Sequence, residues 1–377
     1  MIRSLLKIAV LLFLSVSSAF AQTAKEYNDQ GITDLKQSNF TAAVTKFTKA
    51  IGADYKNAES YTNRALAYSK LGDLTDAISD STQAIEINPK DISAYVNRGQ
   101  FYAQQGNITA AITDYDSAIA INPRSAIAYN NRGTVNMMQG DLSAAAADFT
   151  KAIGLNPKYA GSYNNRGIAF YKQNKINDAI VDYTSAIAND PKDASAYANR
   201  GTAYAKQGAL AGAIADYNKA IEIRPDAPAL YRDRGRIYVQ KADLPDAISD
   251  YDKAIEINPK DSVSYAVRGA IYYDQGKFTQ AISDYSRVIT IKPQEAIGYM
   301  SRALIYLRES DANDAIVDLN KVLTIDPGDA KAYLNRAAGY YQLKKYDKAW
   351  SDVHKAQSLG DRVNPDFIAA LKKVLPG

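Results

Sequence analysis

A proline recurs every 34 residues along most of this chain, and the residues around it recur with it. Tandem copies of one short segment predict a repeat protein, because a unit of this size buries an apolar core only when its neighbours stack against it. The length of 377 residues alone would suggest two globular domains, but the repeat favours an elongated array. The recurring prolines are Pro89, Pro123, Pro157, Pro191, Pro225, Pro259, Pro293 and Pro327.

Each repeat contains two sets of residues at helical spacing. With the proline at place 32 of 34, places 4, 8 and 11 hold a tyrosine, a small residue and usually an aromatic residue. Places 20, 24 and 27 hold alanine, mostly an aromatic residue and a small residue. A spacing of i, i+4 and i+7 puts each set on one face of an α-helix. A breaker, often glycine, separates the sets, so each repeat predicts helix A, a turn and helix B. In the repeat at 92–125 the sets are Tyr95, Gly99, Tyr102, Ala111, Tyr115 and Ala118.

Glycine is frequent at place 8, in the middle of predicted helix A. Glycine inside a helix costs about 0.5–1 kcal/mol relative to alanine, so its recurrence needs a packing reason. The small residues at places 8, 20 and 27 therefore predict close contact between helices.

This pattern resembles the tetratricopeptide repeat, whose unit has the same length, order of residues and closing proline. The resemblance covers residues 58–360 in nine copies, and a weaker copy precedes it, with Tyr55 in place of the proline. It implies an all-α fold of tandem helix–turn–helix repeats stacked into a right-handed α-solenoid superhelix, with A helices lining the inner groove. The predicted domains are a signal peptide at 1–21, a degenerate repeat at 22–57, nine repeats within 58–363 (58–91, 92–125, 126–159, 160–193, 194–227, 228–261, 262–295, 296–329 and 330–363) and a C-terminal capping helix at 364–377.

The N-terminus has the three parts of a secretory signal peptide. Two basic residues come first, an apolar run extends from Ile8 to Val16, and Ala19-Phe20-Ala21 predicts cleavage after Ala21. The alternative is a membrane anchor, but the run is too short to span a bilayer comfortably. Its brevity is typical of bacteria, and no cysteine is present for lipid attachment. We therefore expect export to the periplasm or the exterior, with no stable membrane span.

The C-terminal segment predicts a short amphipathic helix that begins at Asn364-Pro365. Terminal repeats need a cover for their exposed core, and this helix suits that role. The alternative is a helix on a membrane surface, which only Lys372 and Lys373 support. The apolar face consists of Phe367, Ile368, Leu371, Val374 and Leu375.

Place 7 is arginine and place 23 is aspartate in all nine good repeats, whereas the family usually has leucine at place 7. A partly buried arginine needs a partner, so we interpret these residues as ion pairs between helix A and helix B and name them the Arg–Asp ladder. The alternative is a row of charges offered to a ligand. The degenerate copy has Gln30 and Lys46 instead. The ladder includes Arg98, Asp114, Arg132, Asp148, Arg166, Asp182, Arg200 and Asp216.

Place 6 faces the concave groove in the family, and it is asparagine in the first five good repeats. An amide both donates and accepts hydrogen bonds, so such a row suits the backbone of an extended peptide. The alternative is that asparagine is only a habit of this repeat subtype. We name these residues the asparagine row: Asn63, Asn97, Asn131, Asn165 and Asn199.

Two arginines, Arg232 and Arg236, lie i, i+4 around Asp233 at groove places of the next repeat. Like charges at this spacing are mildly unfavourable alone, so they suggest a site for a carboxylate or another anion. The alternative is surface charge balanced by Asp233.

The chain offers little for catalysis, because it has one histidine, no cysteine and no phosphate-binding glycine loop. We expect no enzyme activity, no cofactor and no metal. The net charge of +4 gives no electrostatic case for nucleic acid. The sequence therefore predicts an exported scaffold that binds a protein or extended peptide in its groove. The alternative is a periplasmic scaffold for polysaccharide export or envelope assembly, although most of the 28 tyrosines fall at core places.

Overall fold

The computed structural model describes residues 23–375, and every regular element in that range is an α-helix. The prediction of an all-α fold is therefore confirmed for this part of the chain. The predicted signal peptide at 1–21 lies outside the described residues. The chain divides into two compact units, an N-terminal unit that ends at Gln207 and a C-terminal unit that begins at Gly208.

The N-terminal unit contains eleven described helices that alternate between A and B positions of the repeat. Each A helix from α3 onward begins at the first place of a repeat. The helices are α1 (23–36), α2 (Phe40–Ala53), α3 (Ala58–Leu71), α4 (Leu74–Ile87), α5 (Ile92–Gln104), α6 (Ile108–Ile121), α7 (Ala126–Gln139), α8 (Leu142–Leu155), α9 (Ala160–Lys172), α10 (Ile176–Asn189) and α11 (Ala194–Lys206).

The C-terminal unit continues the alternation, starting from a B helix, and its described part ends with one helix outside the repeat pattern. Its helices are α12 (Leu210–Ile223), α13 (Pro228–Gln240), α14 (Leu244–Ile257), α15 (Ser262–Asp274), α16 (Phe278–Ile291), α17 (Ala296–Arg308), α18 (Ala312–Ile325), α19 (Ala330–Gln342), α20 (Tyr346–Ser358) and α21 (Pro365–Val374).

Consecutive helices pack against each other within each unit, as in a solenoid of helical repeats. An A helix contacts the B helix of its own repeat, and that B helix contacts the next A helix, for example α3 with α4 and α4 with α5. A helices of adjacent repeats also touch, as α5 and α7 do. The A helices therefore share one face of each unit. The handedness of the superhelix stays a prediction.

Place 8 is small because the aromatic ring at place 24 of the same repeat lies against its backbone. A Cβ atom added to Gly167 would lie 2.7 Å from the ring of Tyr183, and one added to Gly133 would lie 2.8 Å from Phe149. Where place 24 is not aromatic, as at Leu319, place 8 is the buried alanine Ala303. The two places thus vary together to keep helix A and helix B in contact.

The turn between helix A and helix B requires a left-handed residue at place 15. Five glycines occupy this place with φ between 72° and 92°, which costs glycine little. In other repeats residues with a side chain adopt the same conformation, including Asn174 at 64° and Ala242 at 62°. Because even alanine adopts it, the packing of the flanking helices holds the turn in this conformation.

The last helix packs on the final repeat. Leu371 of α21 is fully buried among Ala337, Trp350 and Val353, and the indole of Trp350 donates to the backbone carbonyl of Leu375 at 3.1 Å. Phe367 and Ile368 are partly buried there, whereas Val374, expected on the apolar face, is 40% exposed. Helix α21 therefore shields the apolar end of the last repeat.

Replacing Gly167 with alanine tests the contact between places 8 and 24. We expect Gly167→Ala to lower the free energy of unfolding by about 1–2 kcal/mol, because overpacking outweighs the helix propensity of alanine. Gly154→Ala is the control, since a Cβ atom there would meet nothing within 4 Å. It should be neutral or raise stability by up to about 1 kcal/mol. Urea denaturation followed by circular dichroism measures both, and equal effects would contradict the packing explanation.

Candidate functional site

The Arg–Asp ladder joins helix A to helix B of the same repeat through two hydrogen bonds. Arg98 Nε donates to Asp114 Oδ2 at 2.8 Å, and Arg98 Nη2 donates to Asp114 Oδ1 at 2.7 Å. The carboxylate is buried, and the paired geometry satisfies both of its oxygens. This hydrogen bonding raises the pKa of Arg98, although burial opposes the change. The same two bonds occur in Arg64–Asp80, Arg132–Asp148, Arg166–Asp182, Arg234–Asp250, Arg268–Asp284, Arg302–Asp318 and Arg336–Asp352.

A third bond ties each ladder arginine to the preceding repeat, which the sequence analysis did not predict. Arg98 Nη1 donates to Thr82 Oγ1 at 3.0 Å, and Thr82 occupies place 25 of the B helix before it. One guanidinium therefore connects its own A helix, its own B helix and the previous B helix. The signal was present, because place 25 is a short polar residue in every repeat that is followed by another repeat. The acceptors from Arg64 to Arg336 are Thr48, Thr82, Asp116, Thr150, Thr184, Asn218, Asp252, Ser286 and Asn320.

The aromatic residues at places 4 and 11 cover the ladder arginines. The guanidinium carbon of Arg98 lies 5.8 Å from the ring centre of Tyr95 and 5.9 Å from that of Tyr102. These distances fit cation–π contact on both flanks. In the repeat at 126–159 the place-11 residue is Asn136, whose amide donates to Asp148 at 3.0 Å instead. Ladder arginines that are bonded and covered in this way are poorly placed to bind a ligand.

Two parts of the predicted ladder differ from the rest. Arg200 lies in the N-terminal unit and donates to Thr184 at 3.0 Å, while Asp216 lies in the C-terminal unit, so their pairing stays a prediction. In the degenerate copy, Lys46 Nζ donates to Gln30 Oε1 at 2.8 Å. The same two places are thus still joined there, by a single polar bond.

The asparagine row lies partly buried on the A helices, and several members bind the preceding repeat rather than solvent. Asn165 Nδ2 donates to Asn130 Oδ1 at 3.2 Å, and Asn199 Nδ2 donates to Asn164 Oδ1 at 2.9 Å. Asn63 makes the same bond to Asn28 at 3.2 Å. In each case the acceptor is place 5 of the repeat before. These three amides therefore help to hold adjacent repeats together.

The remaining members, Asn97 and Asn131, face a different neighbour. Place 5 of the preceding repeat is Thr62 before Asn97 and Val96 before Asn131, and neither forms this bond in the described part of the chain. Asn131 only accepts a hydrogen bond, from Asn130 at 3.3 Å. Asn97 and Asn131 are therefore the members of the row whose amide nitrogens donate no hydrogen bond within the described residues.

A cleft whose lining includes Asn131 opens on the A-helix face of the N-terminal unit. It lies between α5 and α7 and has a volume of about 280 Å³, and we name it the α5–α7 cleft. Its lining combines amides, the hydroxyl-bearing residues Tyr115 and Thr134, and apolar side chains, with no charged residue. Met138 stands at its edge with 59% of its surface exposed. The lining residues are Gln100, Ala103, Gln104, Tyr115, Asn131, Thr134, Val135 and Met138.

The arginine pair on the C-terminal unit is largely compensated. Arg232 Nη1 donates to Asp261 Oδ2 at 3.0 Å, and Arg236 Nη2 lies 3.8 Å from Asp233 Oδ1. Burial raises the pKa of Asp233, although Arg236 and Arg232 both oppose the change. Arg236 is the more exposed of the two, with 66% of its side chain exposed compared with 34% for Arg232. The geometry thus matches balanced surface charge better than a preformed anion site.

Within residues 23–375 no group of histidine and carboxylate side chains is arranged to hold a metal ion. The only histidine of the chain, His354, stacks on Trp350 with 5.3 Å between ring centres. None of the described helices is both long enough and apolar enough to cross a bilayer.

Removing a ladder carboxylate tests its structural role. We expect Asp148→Ala to lower the free energy of unfolding by about 3 kcal/mol, because Arg132 loses its buried partner. Asp116→Ala is the matched control, since Asp116 binds the same arginine but is 54% exposed. It should cost less than about 1 kcal/mol. Urea denaturation compares the two, and equal losses would show that burial does not decide the strength of the pair.

Solved structures of bacterial proteins have the same architecture. A tetratricopeptide repeat protein from Parabacteroides merdae is 22% identical with a TM-score of 0.52, covering 66% of this chain and 99% of its own. PilF from Pseudomonas aeruginosa is 15% identical with a TM-score of 0.52, covering 59% of this chain and 99% of its own. At these identities the likeness concerns the fold alone. No curated protein sequence is significantly similar to the chain.

Sequence models of protein families match much of the chain. Models described as tetratricopeptide repeat match residues 58–91, 82–113, 126–159, 164–228, 229–261 and 250–283, and a model described as TPR repeat matches 99–140 and 269–310. Together they cover residues 58–159 and 164–310. Arrays of this kind are generally non-catalytic scaffolds for protein–protein interaction, binding protein or peptide partners. The chain belongs to the tetratricopeptide repeat family.

Proposed function

We propose that this protein is an exported, non-catalytic scaffold that binds an extended polypeptide segment on the A-helix face of its N-terminal unit. The observation that carries the proposal is the α5–α7 cleft, whose lining includes Asn131, while Asn97 precedes the lining residue Gln100 by about one turn of α5. It combines an apolar recess with hydrogen-bonding groups at its edge, as binding sites for peptides commonly do.

The chemistry of the cleft suits a peptide backbone. A backbone presents alternating N–H donors and C=O acceptors, and a side-chain amide bonds to either. Gln100 and Gln104 lie one helical turn apart on α5 with exposed side chains, and Asn131 faces them from α7. Amides on two neighbouring helices give an extended segment bonding partners on both sides. The absence of charge from the lining favours an uncharged stretch of the partner.

The alternative, a scaffold for polysaccharide export or envelope assembly, depends on tyrosines that stack on sugars. The aromatic residues at places 4 and 11 cover ladder arginines, and those at place 24, such as Tyr115 and Tyr183, are 2% exposed. Most rings are therefore engaged inside the repeats. We favour the polypeptide, and direct binding of a glycan would reverse that preference.

The asparagine row supplies variants that separate binding from stability. Short random peptides displayed on phage would be selected on the purified protein, and the affinity of a selected peptide would be measured by calorimetry. We expect Asn97→Ala with Asn131→Ala to weaken binding about 30-fold, since each of the two lost hydrogen bonds is worth about 1 kcal/mol. Thermal stability should change little, because neither amide bonds to the preceding repeat.

Asn165→Ala is the control for this experiment, because its amide is bonded to Asn130. It should lower stability by about 1 kcal/mol and leave peptide affinity nearly unchanged. Peptides that bind the double variant as tightly as the original protein would remove the proposed role of the row. Failure to enrich any peptide, with binding to a glycan array instead, would favour the polysaccharide alternative.

The proposal of export rests on the N-terminal sequence, in which Arg3 and Lys7 precede the apolar run and Ala21 precedes the expected cleavage point. Mass spectrometry of protein made in a bacterial host should find a mature N-terminus at Gln22 in the periplasm or the medium. Ala21→Arg should leave the precursor uncleaved, because signal peptidase sites need a small residue there. An intact N-terminus on the unaltered protein in the cytosolic fraction would refute export.

A further inference from the structure

The α5–α7 cleft has counterparts at other junctions between A helices, and there the chain fills the space with its own aromatic ring. Tyr171 occupies place 12 of α9, and Lys206 at place 13 of α11 lies over the ring at 4.9 Å. In the C-terminal unit, Tyr273 occupies place 12 of α15, and Arg308 at place 13 of α17 lies over it at 5.4 Å. Arg308 also donates to the hydroxyl of Tyr273 at 3.3 Å.

The same two places differ at the junction of α5 and α7. Place 12 is Ala103, which lacks a ring, and place 13 of the following A helix is Met138, which lacks a charge. Both residues line the cleft. The cleft is thus the space that a place-12 tyrosine fills between α9 and α11 and between α15 and α17, left open here by a small residue.

We propose that the α5–α7 cleft binds an aromatic side chain, phenylalanine or tyrosine, of the partner polypeptide. The inference rests on the proposed function and specifies what the bound segment must carry. An incoming ring takes the position that Tyr171 and Tyr273 hold at the other junctions. Met138 replaces the covering cation, and a thioether makes favourable contact with an aromatic ring. The exposed amides of Gln100 and Gln104 lie at the edge, where they can bond a phenol or the flanking backbone.

The lining argues against other side chains. A carboxylate or an ammonium group entering the cleft would lose water without meeting an opposite charge, because no charged residue lines it. A short aliphatic side chain would leave much of the 280 Å³ unfilled. An aromatic ring offers a large apolar surface with few rotatable bonds, so it gains most from a preformed recess.

The test fills the cleft with the pair of residue types found at the junction of α9 and α11. The double variant Ala103→Tyr with Met138→Lys reproduces the pair Tyr171 and Lys206. It should weaken binding of a phage-selected peptide about 30-fold or more, as expected when a buried aromatic anchor is lost. Its melting temperature should not fall, because the new pair packs as its counterparts do. Val181→Tyr is the control, since it adds a tyrosine at a site on α10 that is 64% exposed, and affinity should not change.

A second measurement does not depend on how the variant folds. With methyl-labelled methionine in the unaltered protein, the Met138 signal should shift upfield on addition of the peptide, as a ring current requires. The Met300 methyl in the C-terminal unit is the internal reference. Replacing the peptide's aromatic residue with alanine should remove the shift and most of the affinity.

The outcomes separate the two proposals. Selected peptides without aromatic residues, or full affinity in the closed-cleft variant, would overturn the aromatic inference. If the double variant of Asn97 and Asn131 still bound those peptides more weakly than the original protein does, the proposed peptide-binding function would stand. If both variants bound peptide as the original protein does, or if no peptide were enriched, both proposals would fall.

Discussion

The rest of the array depends on the hydrogen bonds of the arginine at place 7. Its guanidinium binds the aspartate of its own B helix through two hydrogen bonds and reaches the previous B helix through a third, as Arg98 does with Asp114 and Thr82. Tyrosines on the same helix flank it. A charge on the repeat interface is tolerable only with its donors satisfied, and here the satisfied donors fix the register of three helices. Wherever it is formed, this contact links neighbouring repeats as well as the two helices of one repeat.

This arrangement limits where a ligand can bind. The charged and aromatic residues that are most numerous in the repeat are engaged with each other, so their abundance does not indicate a binding surface. Binding is left to the places of helix A that vary between repeats. Among these, the α5–α7 cleft stands out because Ala103 leaves a recess that Tyr171 and Tyr273 fill at their own junctions. A place that stabilises the array in one repeat is thus free to recognise a partner in another.

Much of the fold could be predicted from the sequence because each element repeats. The spacing of Tyr95, Gly99 and Tyr102 defines a helical face, and nine copies make that pattern certain. The need for small residues at place 8 was also predictable from the cost of glycine in a helix. The bond from place 7 to place 25 of the preceding repeat was not predicted. In Arg98 the predicted partner Asp114 lies 16 residues later in the chain and the second partner Thr82 lies 16 residues earlier. The aspartate at place 23 already satisfied the need of the arginine for a partner, so the short polar residues at place 25 were not interpreted as a second one.

The candidate site shows most clearly which features follow from the sequence and which depend on the tertiary structure. The sequence by itself determined the helical repeats, their order and the residues on each helical face, because these depend on periodicity within one repeat. Only the tertiary structure decided that Asn165 binds Asn130 while Asn97 and Asn131 keep their donors, and that a cleft opens at Ala103. These features depend on pairs of residues from adjacent repeats, about one repeat length apart in sequence. Which side chains meet there is set by the stacking of helices, since no single repeat contains both partners.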